Sequence, residues 1–288
     1  MMAKDTFLNR KLTLNSKGTL VDLTRPSVMA ILNITPDSFF AGSRTSGIKD
    51  ALKKVETFIN EGAKFIDIGA YSSRPGAADV SEKEEIERLI PILKAVNYEF
   101  PNTIISVDTF RAKVAEEAIF SGANIINDIA GGDLDAEMFN TVAKLKVPYI
   151  MMHMKGTPQN MQQNPVYEDV VAEVFSYFNT KIQKLRNLGI KDVIIDPGFG
   201  FAKTITHNYQ LLQQMESLNV FELPILVGFS RKSMITKVLD IKTEDAVNGT
   251  SILNTIALQK GANILRVHDV EAAMECIKLN EKVNNPSN

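Results

Sequence analysis

Polar side chains follow nearly every apolar run of this sequence, at the point where the run ends. The clearest case is Val193-Ile-Ile-Asp-Pro-Gly-Phe-Gly-Phe-Ala-Lys203, in which an apolar run passes into a carboxylate and then a loop with two glycines. The other runs end in Asn33-Ile-Thr-Pro-Asp-Ser-Phe39, Gly69-Ala-Tyr-Ser-Ser-Arg-Pro-Gly76, Asp108-Thr-Phe-Arg111, Asn127-Asp128, His153-Met-Lys155, Phe229-Ser-Arg-Lys-Ser233 and Arg266-Val-His-Asp269. A turn or a cap explains any one of these residues, but the full set indicates a ligand site.

These polar residues fall into two chemical groups. Asp108, Asn127 and Asp196 are rich in acceptors and suit the paired N–H donors of a flat heterocycle with an amino-pyrimidine edge. The second group suits phosphate oxygens, because arginine offers a fork of donors and asparagine is a neutral ligand for a phosphate-bound Mg²⁺. Its members are Asn33, Arg74, Arg266 and His268. The sequence therefore predicts a polar aromatic ligand that carries phosphate.

Eight apolar runs without a polar face predict strands that are covered on both faces, as in a parallel sheet wrapped by helices. They span 28–32, 65–68, 104–107, 124–127, 147–152, 193–195, 225–227 and 264–267. Ligands bind at the carboxyl ends of such strands, which is where the polar residues stand. A short hairpin is predicted within 6–25.

Segments with apolar residues at three- and four-residue spacing lie between the runs and predict helices. They include 48–62, 81–96, 111–122, 166–189 and 207–218. Ser81 and Glu84 have the spacing of a capping box, and Gly62, Gly122 and Gly189 suit left-handed helix ends.

Eight such βα units predict an α/β fold, a single (β/α)8 TIM barrel with a short N-terminal extension. The whole chain, 1–288, forms one domain in this interpretation, with the barrel proper at about 26–283. An open doubly wound sheet is the alternative, but no G-x-G-x-x-G follows the first run to support a dinucleotide fold.

Composition narrows the functional classes. Hydrophobic residues make up 44% of the 288 residues and charged residues 23%, which is typical of a globular protein. The net charge of -2 and the lack of a basic cluster argue against nucleic-acid binding. No membrane span or secretory signal is expected. One cysteine, Cys276, excludes an internal disulfide and fits a cytoplasmic location.

The motifs together resemble the dihydropteroate synthase family. The resemblance rests on Ile31-Leu-Asn-Ile-Thr-Pro-Asp-Ser-Phe39, Ser72-Ser-Arg-Pro-Gly-Ala77, Ser106-Val-Asp-Thr109, Ile126-Asn-Asp128, Met152-His-Met154, Asp196-Pro-Gly-Phe-Gly-Phe201, Ser230-Arg-Lys-Ser233 and Arg266-Val-His-Asp269, in the family's order. It implies a TIM barrel that condenses 6-hydroxymethyl-7,8-dihydropterin diphosphate with p-aminobenzoate. The products are 7,8-dihydropteroate, a folate precursor, and diphosphate, and the substitution is dissociative.

The resemblance also implies a role for each matching residue, with Asp108, Lys232, Arg266 and His268 as the catalytic set. The pterin would be bound by Asp108, Asn127, Asp196, Lys232 and Arg266. The diphosphate would be bound by Asn33, Arg74, Arg266 and His268, with Mg²⁺ on Asn33 as the cofactor. The p-aminobenzoate pocket, where sulfonamides bind in this family, would be formed by Ser73, Arg74, Pro75, Phe201, Lys232 and Ser233. A homodimer is implied, packed through helices at one side of the barrel.

Some positions depart from the family pattern. Tyr71 stands where an acidic residue is common, Ser73 replaces threonine and Ala202 replaces glycine. The first loop continues Phe40-Ala-Gly-Ser-Arg44 instead of the usual Asp-Gly-Gly pattern. We expect these changes to affect the geometry of the loops and sulfonamide affinity, but not the reaction.

Two other functions remain as alternatives. A pterin-dependent methyltransferase has a similar barrel, but it needs no diphosphate clamp of the kind that Ser230-Arg-Lys-Ser233 and Arg266-Val-His268 predict. A catalytically silent pterin-binding paralogue would be expected to tolerate losses at Asn33, Asp108, Lys232 and His268, all of which are intact. A metalloenzyme built on His153, His207 and His268 is disfavoured, because their spacing is not that of helical ligands.

Overall fold

The computed structural model describes residues 12–34, 44–71, 79–159, 161 and 165–286, and it contains one barrel of eight parallel strands. The barrel strands are β3 (Ser27–Asn33), β4 (Phe65–Gly69), β5 (Ile104–Asp108), β6 (Ile125–Asp128), β7 (Tyr149–Met152), β8 (Val193–Asp196), β9 (Leu226–Val227) and β10 (Ile264–Val267). They pair in the order β8-β7-β6-β5-β4-β3-β10-β9. A parallel bridge between Ile195 and Ile225 links the β8 and β9 ends of this sheet. The predicted (β/α)8 barrel is confirmed, whereas the domain limits stay a prediction.

Helices follow the barrel strands and cover the outside of the sheet. Those in the described residues are α1 (Arg44–Asn60), α2 (Glu82–Glu99), α3 (Ala112–Phe120), α4 (Met138–Leu145), α5 (Val170–Asn187), α6 (Ile205–Gln213), α7 (Ser233–Leu239), α8 (Val247–Gln259) and α9 (Val270–Asn284). Short 3₁₀ helices occupy Met215–Phe221 and Thr243–Asp245. All five predicted helical segments overlap these elements. Gly62, Gly122 and Gly189 have positive φ values, as predicted for helix ends.

The capping box predicted at Ser81 and Glu84 is only half formed. The Ser81 hydroxyl accepts a hydrogen bond from the Glu84 backbone N–H at 3.2 Å. The Glu84 carboxylate instead pairs with Arg88 one turn further along α2, because an arginine four residues away competes for it. A complete capping box occurs at the start of α6, between Thr204 and His207.

The barrel strands are buried on both faces, which explains why their sequences show no alternation. One face packs under the helices in a large apolar cluster. The other face fills the barrel interior, where Met29, Phe65, Ile150 and Ile194 share a second cluster with the N-terminal hairpin.

The hairpin consists of β1 (Thr13–Ser16) and β2 (Thr19–Asp22), and it confirms the predicted one over its described part. Leu14 and Val21 of the hairpin are buried in the same cluster as the first residues of several barrel strands. The hairpin therefore closes the amino end of the barrel, and ligands are left with the carboxyl end.

None of the helices in the described part of the chain has the length and apolar character needed to cross a membrane. Cys276 is a free, buried thiol on α9.

Candidate active site

Four of the strand-end positions form one row across the mouth of the barrel. Asn33 of β3 is in register with Gly69 of β4, Gly69 with Asp108 of β5, and Asp108 with Asn127 of β6. Gly69 leaves room in this row, because a Cβ at its position would lie 3.3 Å from the Cβ of Asp108. The sheet therefore brings Asn33, Asp108 and Asn127 to the same level of the mouth.

Arg266 of β10 reaches across the barrel and binds two carboxylates. Its Nε donates to Asp67 Oδ2 at 2.7 Å, and its Nη2 donates to Asp108 Oδ2 at 2.7 Å. The Asn127 side-chain amide donates to the same oxygen of Asp67 at 3.0 Å. Three predicted pterin ligands, Asp108, Asn127 and Arg266, are thus fixed directly or through Asp67.

Asp67 is a functional residue that the sequence reasoning missed. Its side chain is completely buried, and its Oδ1 has no hydrogen-bond partner among the described residues. The sequence signal that could have identified Asp67 is a charged residue in the centre of the otherwise apolar strand Phe65–Gly69. Since side chains alternate along a strand, Asp67 shares its face with Gly69, next to Asp108.

The electrostatics of the mouth are governed by burial. Burial raises the pKa of Asp108 to about 7, the positive charge of Arg266 opposes this shift, and the negative charge of Asp67 adds to it. Burial also raises the pKa of Asp196, with Lys232 acting in the opposite direction. Burial lowers the pKa of Lys232 to about 8, and the negative charge of Asp196 opposes this shift. Asp108, Asp196, Lys232 and Arg266 therefore form one coupled group of charges.

The loop after β8 places Asp196 beside Lys232. Asp196 Oδ1 accepts the backbone N–H of Gly198 at 2.8 Å, which fixes the carboxylate at the strand end. Lys232 Nζ donates to the carbonyl of Phe199. The same Nζ lies 4.5 Å from the centre of the Phe201 ring. Phe201 and Lys232, both predicted for the p-aminobenzoate pocket, are in contact, and Ser233 follows Lys232 as the first residue of α7.

His268 is held by the loop after β9. Its Nδ1 lies 2.9 Å from Ser230 Oγ, and its backbone N–H donates to the same hydroxyl at 3.2 Å. Arg231 donates two hydrogen bonds to Asp269, at 3.2 Å from Nε and 2.6 Å from Nη2. Arg231 and Asp269 were visible only as parts of motifs, and the structure shows that they join the two loops that carry Lys232 and His268.

Three predicted site residues, Ser73, Arg74 and Pro75, lie outside the described residues, so their roles stay predictions. The same holds for the departure at Phe40-Ala-Gly-Ser43. Tyr71 retains polar contacts where the family commonly has an acid, since its hydroxyl lies 3.2 Å from Asp79 Oδ1 and accepts from Gln159 Nε2 at 2.6 Å. Ala202 has a left-handed conformation with φ +48, which explains why glycine suits this position.

The residues of the mouth fit Mg²⁺ only as an ion that is shared with a substrate. Within the described ranges, no group of three or more His, Cys, Asp or Glu side chains could hold a metal. Asn33 offers a neutral amide oxygen at the end of β3. Mg²⁺ commonly takes few protein ligands and completes its shell with water and substrate phosphates. This donor set is therefore compatible with an ion that bridges Asn33 and a diphosphate.

Comparison with known proteins extends the similarity over nearly the whole chain. A family model described as "Pterin binding enzyme" matches residues 29–268. Dihydropteroate synthase of Escherichia coli K12 is 43% identical over 272 residues, which cover 92% of this chain and 94% of that protein. The enzyme of the same name from Haemophilus influenzae is 43% identical over 271 residues, with 93% and 97% covered.

Solved structures agree with these relatives. Yersinia pestis dihydropteroate synthase in complex with a sulfonamide drug has a TM-score of 0.88 and 41% identity, and the match covers 95% of this chain and 99% of that one. Xanthomonas albilineans dihydropteroate synthase with 4-aminobenzoic acid has a TM-score of 0.88 and 36% identity, with 95% and 98% covered.

The loop after β8 gives a first test of the site. At Gly198, which has φ +71, a Cβ would lie 2.0 Å from the carbonyl oxygen of His153. At Gly189, with φ +78, a Cβ would meet nothing within 4 Å. We expect Gly189→Ala to cost about 1 kcal/mol of unfolding free energy, from backbone strain alone. Gly198→Ala should cost about 2 kcal/mol more, because the loop must move away from His153.

Urea denaturation of the two variants measures this difference. Equal losses of unfolding free energy would contradict the close approach of the loop to His153.

Proposed function

The chain belongs to the dihydropteroate synthases, a family of pterin binding enzymes and transferases of folate biosynthesis, and we propose that its barrel mouth performs their condensation. The substrates are 6-hydroxymethyl-7,8-dihydropterin diphosphate and p-aminobenzoate, and the products are 7,8-dihydropteroate and diphosphate. The observation that carries the proposal is the half-buried Arg266, bound between Asp67 and Asp108 next to Asn127. This group offers a flat cation and fixed acceptors to a heterocycle.

The pterin subsite uses the polar residues at the bottom of the mouth. Asp108, Asn127 and Asp196 accept or share hydrogen bonds with the amino-pyrimidine edges of the pterin. Lys232 donates to the region of the ring carbonyl, and Arg266 stacks on the ring face. The support for these roles is that Lys232, Asp108, Asp196 and Arg266 are close enough to shift one another's pKa values.

The diphosphate subsite lies at the rim, where Asn33 ends β3, Arg266 is the penultimate residue of β10 and His268 directly follows β10. Arg74 belongs to this group by its motif. Mg²⁺ bound to Asn33 and the diphosphate oxygens would neutralise charge on the leaving group. The p-aminobenzoate subsite is formed by Phe201, Lys232 and Ser233, together with Ser73, Arg74 and Pro75 by their motif. Sulfonamides would compete there, in keeping with the drug complex of the Yersinia relative.

The reaction follows from charge stabilisation and positioning. The C–O bond between the pterin methylene and the diphosphate breaks first, and its electron pair leaves with the diphosphate, which Arg266 and His268 stabilise. The resulting cation is delocalised into the pterin ring and is stabilised by the Asp108 carboxylate. The arylamine nitrogen, neutral at pH 7, then forms the C–N bond with its lone pair and loses a proton to water. The mechanism requires no dedicated general base.

The relatives argue against the alternative of a methyltransferase, since synthases match this chain over nearly its whole length. Diphosphate release distinguishes the synthase from a catalytically silent pterin-binding paralogue. The proposed compartment is the cytoplasm, in keeping with the single cysteine.

We also propose that the protein forms a homodimer through α7 and α8. Apolar side chains on these helices are exposed to solvent, with Val238 at 53%, Leu239 at 50% and Ile252 at 51% exposure. The two helices pack against each other, because a Cβ on Gly249 would meet Ile235 and Leu239. An apolar patch of this kind indicates a contact surface.

Light scattering tests the dimer. We expect a mass of two chains for the wild type and of one chain for Leu239→Glu, because a carboxylate in a buried interface lacks a partner. Val220→Glu, at an exposed apolar residue of the 3₁₀ helix Met215–Phe221, should stay dimeric. A wild-type mass of one chain would exclude the proposal.

Diphosphate release tests the activity. Wild-type protein should release diphosphate and form dihydropteroate only with the pterin diphosphate, p-aminobenzoate and Mg²⁺ together. In Asp108→Ala, turnover should fall by on the order of 10²–10³, because the carboxylate that stabilises the cation is lost. Asp192→Ala removes a carboxylate at the amino end of the barrel and should keep wild-type rates. Pterin binding without turnover in the wild type would instead identify a silent binder.

The pKa of Asp108 predicts how the rate depends on pH. Because the reaction needs Asp108 ionised and its pKa is raised to about 7, kcat/KM should fall as the pH is lowered through neutrality. Asp67→Asn removes a neighbouring negative charge, which lowers the pKa of Asp108 and should move this acid limb to lower pH. The pH profiles of kcat/KM measure the shift, and Asp192→Asn should leave the limb in place. An unmoved or raised limb in Asp67→Asn would contradict the coupling of the two carboxylates.

A further inference from the structure

Lys203 is a buried lysine that the proposed mechanism does not use. Its residue surface is only 3% exposed. Its Nζ lies 3.0 Å from His153 Nδ1 and donates to the carbonyls of Gly198 at 3.0 Å and Phe201 at 3.1 Å. An ammonium has three N–H donors, and these three acceptors satisfy all of them. Among the described residues, no carboxylate lies within ion-pair distance of Lys203, so its bonds serve His153 and the backbone.

His153 acts as an acceptor in this contact. Burial and the positive charge of Lys203 hold the pKa of His153 well below its usual range. The imidazole is therefore neutral. When Lys203 is protonated it has no lone pair to accept with, so Nδ1 of His153 accepts and its Nε2 carries the proton. The ring is fixed by an edge contact with Tyr177, at 4.8 Å between centroids, and its backbone N–H donates to the carbonyl of Asp196 at 2.9 Å.

The carbonyls that Lys203 binds belong to the loop that forms the p-aminobenzoate subsite. Gly198 and Phe201 are tied to each other by a backbone hydrogen bond of 3.1 Å, and Lys203 binds the carbonyl of each. The carbonyl between them, that of Phe199, accepts from Lys232. Any movement of this loop would therefore displace both the Phe201 ring and the anchor of the Lys232 ammonium.

We propose that Lys203 is a positioning residue for the p-aminobenzoate subsite. Its ammonium contacts His153 and binds the loop that carries Phe201. The same loop anchors Lys232 through the carbonyl of Phe199. The proposal rests on the proposed function, because that function assigns Phe201 to the arylamine and Lys232 to both substrates. The pterin keeps three ligands that lie on other strands, Asp108, Asn127 and Arg266. Loss of Lys203 should thus impair one substrate more than the other.

Kinetics and hydrogen exchange of Lys203→Met test the proposal. We expect the KM for p-aminobenzoate to rise about tenfold while the KM for the pterin diphosphate stays within about twofold. In the protein without substrates, the backbone N–H groups of Gly200 and Phe201 should exchange about ten times faster than in the wild type. Hydrogen exchange does not depend on catalysis, so it reports on the loop even if the proposed function fails.

Lys64→Met is the matched control. Lys64 also donates to a backbone carbonyl, that of Asp22, but at the amino end of the barrel. Both KM values and the exchange of Gly200 and Phe201 should match those of the wild type. An unchanged KM for p-aminobenzoate in Lys203→Met, equal rises of both KM values, or unchanged exchange would overturn the proposal. A wild type without turnover would overturn the proposed function instead.

His153 variants cover the case in which Lys203→Met does not fold. His153→Leu removes one acceptor of the ammonium and should raise the KM for p-aminobenzoate selectively. His153→Gln retains an amide oxygen and should restore most of the affinity. Equal KM values for p-aminobenzoate in the two variants would contradict the role of His153 as an acceptor that holds the Lys203 ammonium in place.

Discussion

A half-buried arginine, Arg266, lies between two carboxylates and organises the mouth of this barrel. Removing charged groups from water is costly, and a buried guanidinium is stable only if its donors are paired. Asp67 and Asp108 supply the partners of Arg266, and burial alone would otherwise lower the pKa of this arginine. Burial is the main cause of the raised pKa of Asp108, the charge of Arg266 opposes the rise, and the charge of Asp67 adds to it. Because one cation is shared by two carboxylates, the ionised group carries an excess of negative charge, which favours a developing cation at the mouth.

The rest of the fold keeps this group of charges rigid. The hairpin fills the amino end of the barrel with Leu14 and Val21, which pack against apolar side chains of the barrel interior below the site. At the carboxyl end, buried polar groups fix the loops. Asp128, for example, accepts from the backbone N–H groups of Ala130 and Gly132 and from the Tyr149 hydroxyl. A site that works by positioning needs such fixed loops, since reorganisation during the reaction would cost rate.

Two lysines bind backbone carbonyls of the loop after β8. Lys232 binds the carbonyl of Phe199, and the buried Lys203 binds the carbonyls of Gly198 and Phe201. Burial lowers the pKa of both lysines, to about 8 for Lys232 and about 7 for Lys203. Asp196 opposes both shifts, so this one carboxylate favours the charged form of both lysines.

The sequence by itself determined the eight strands and the residues at their ends, because both are local patterns. Apolar runs without alternation require cover on both faces, and a polar residue after such a run must stand at the mouth of the barrel. Asn33, Asp108, Asn127 and Arg266 were identified in this way. The family could be recognised as well, since its motifs are short and contiguous.

Only the tertiary structure decided which of these residues bind one another. Asp67 and Arg266 are separated by 199 positions, and Lys203 and His153 by 50, so no periodicity in the sequence links them. Asp67 lies within an apolar strand, and in the sequence Lys203 is an ordinary loop lysine. Only the structure shows that Lys203 is buried and that three acceptors surround its ammonium. Closure of the barrel creates these contacts, because it brings together side chains from strands and loops that are distant in the chain.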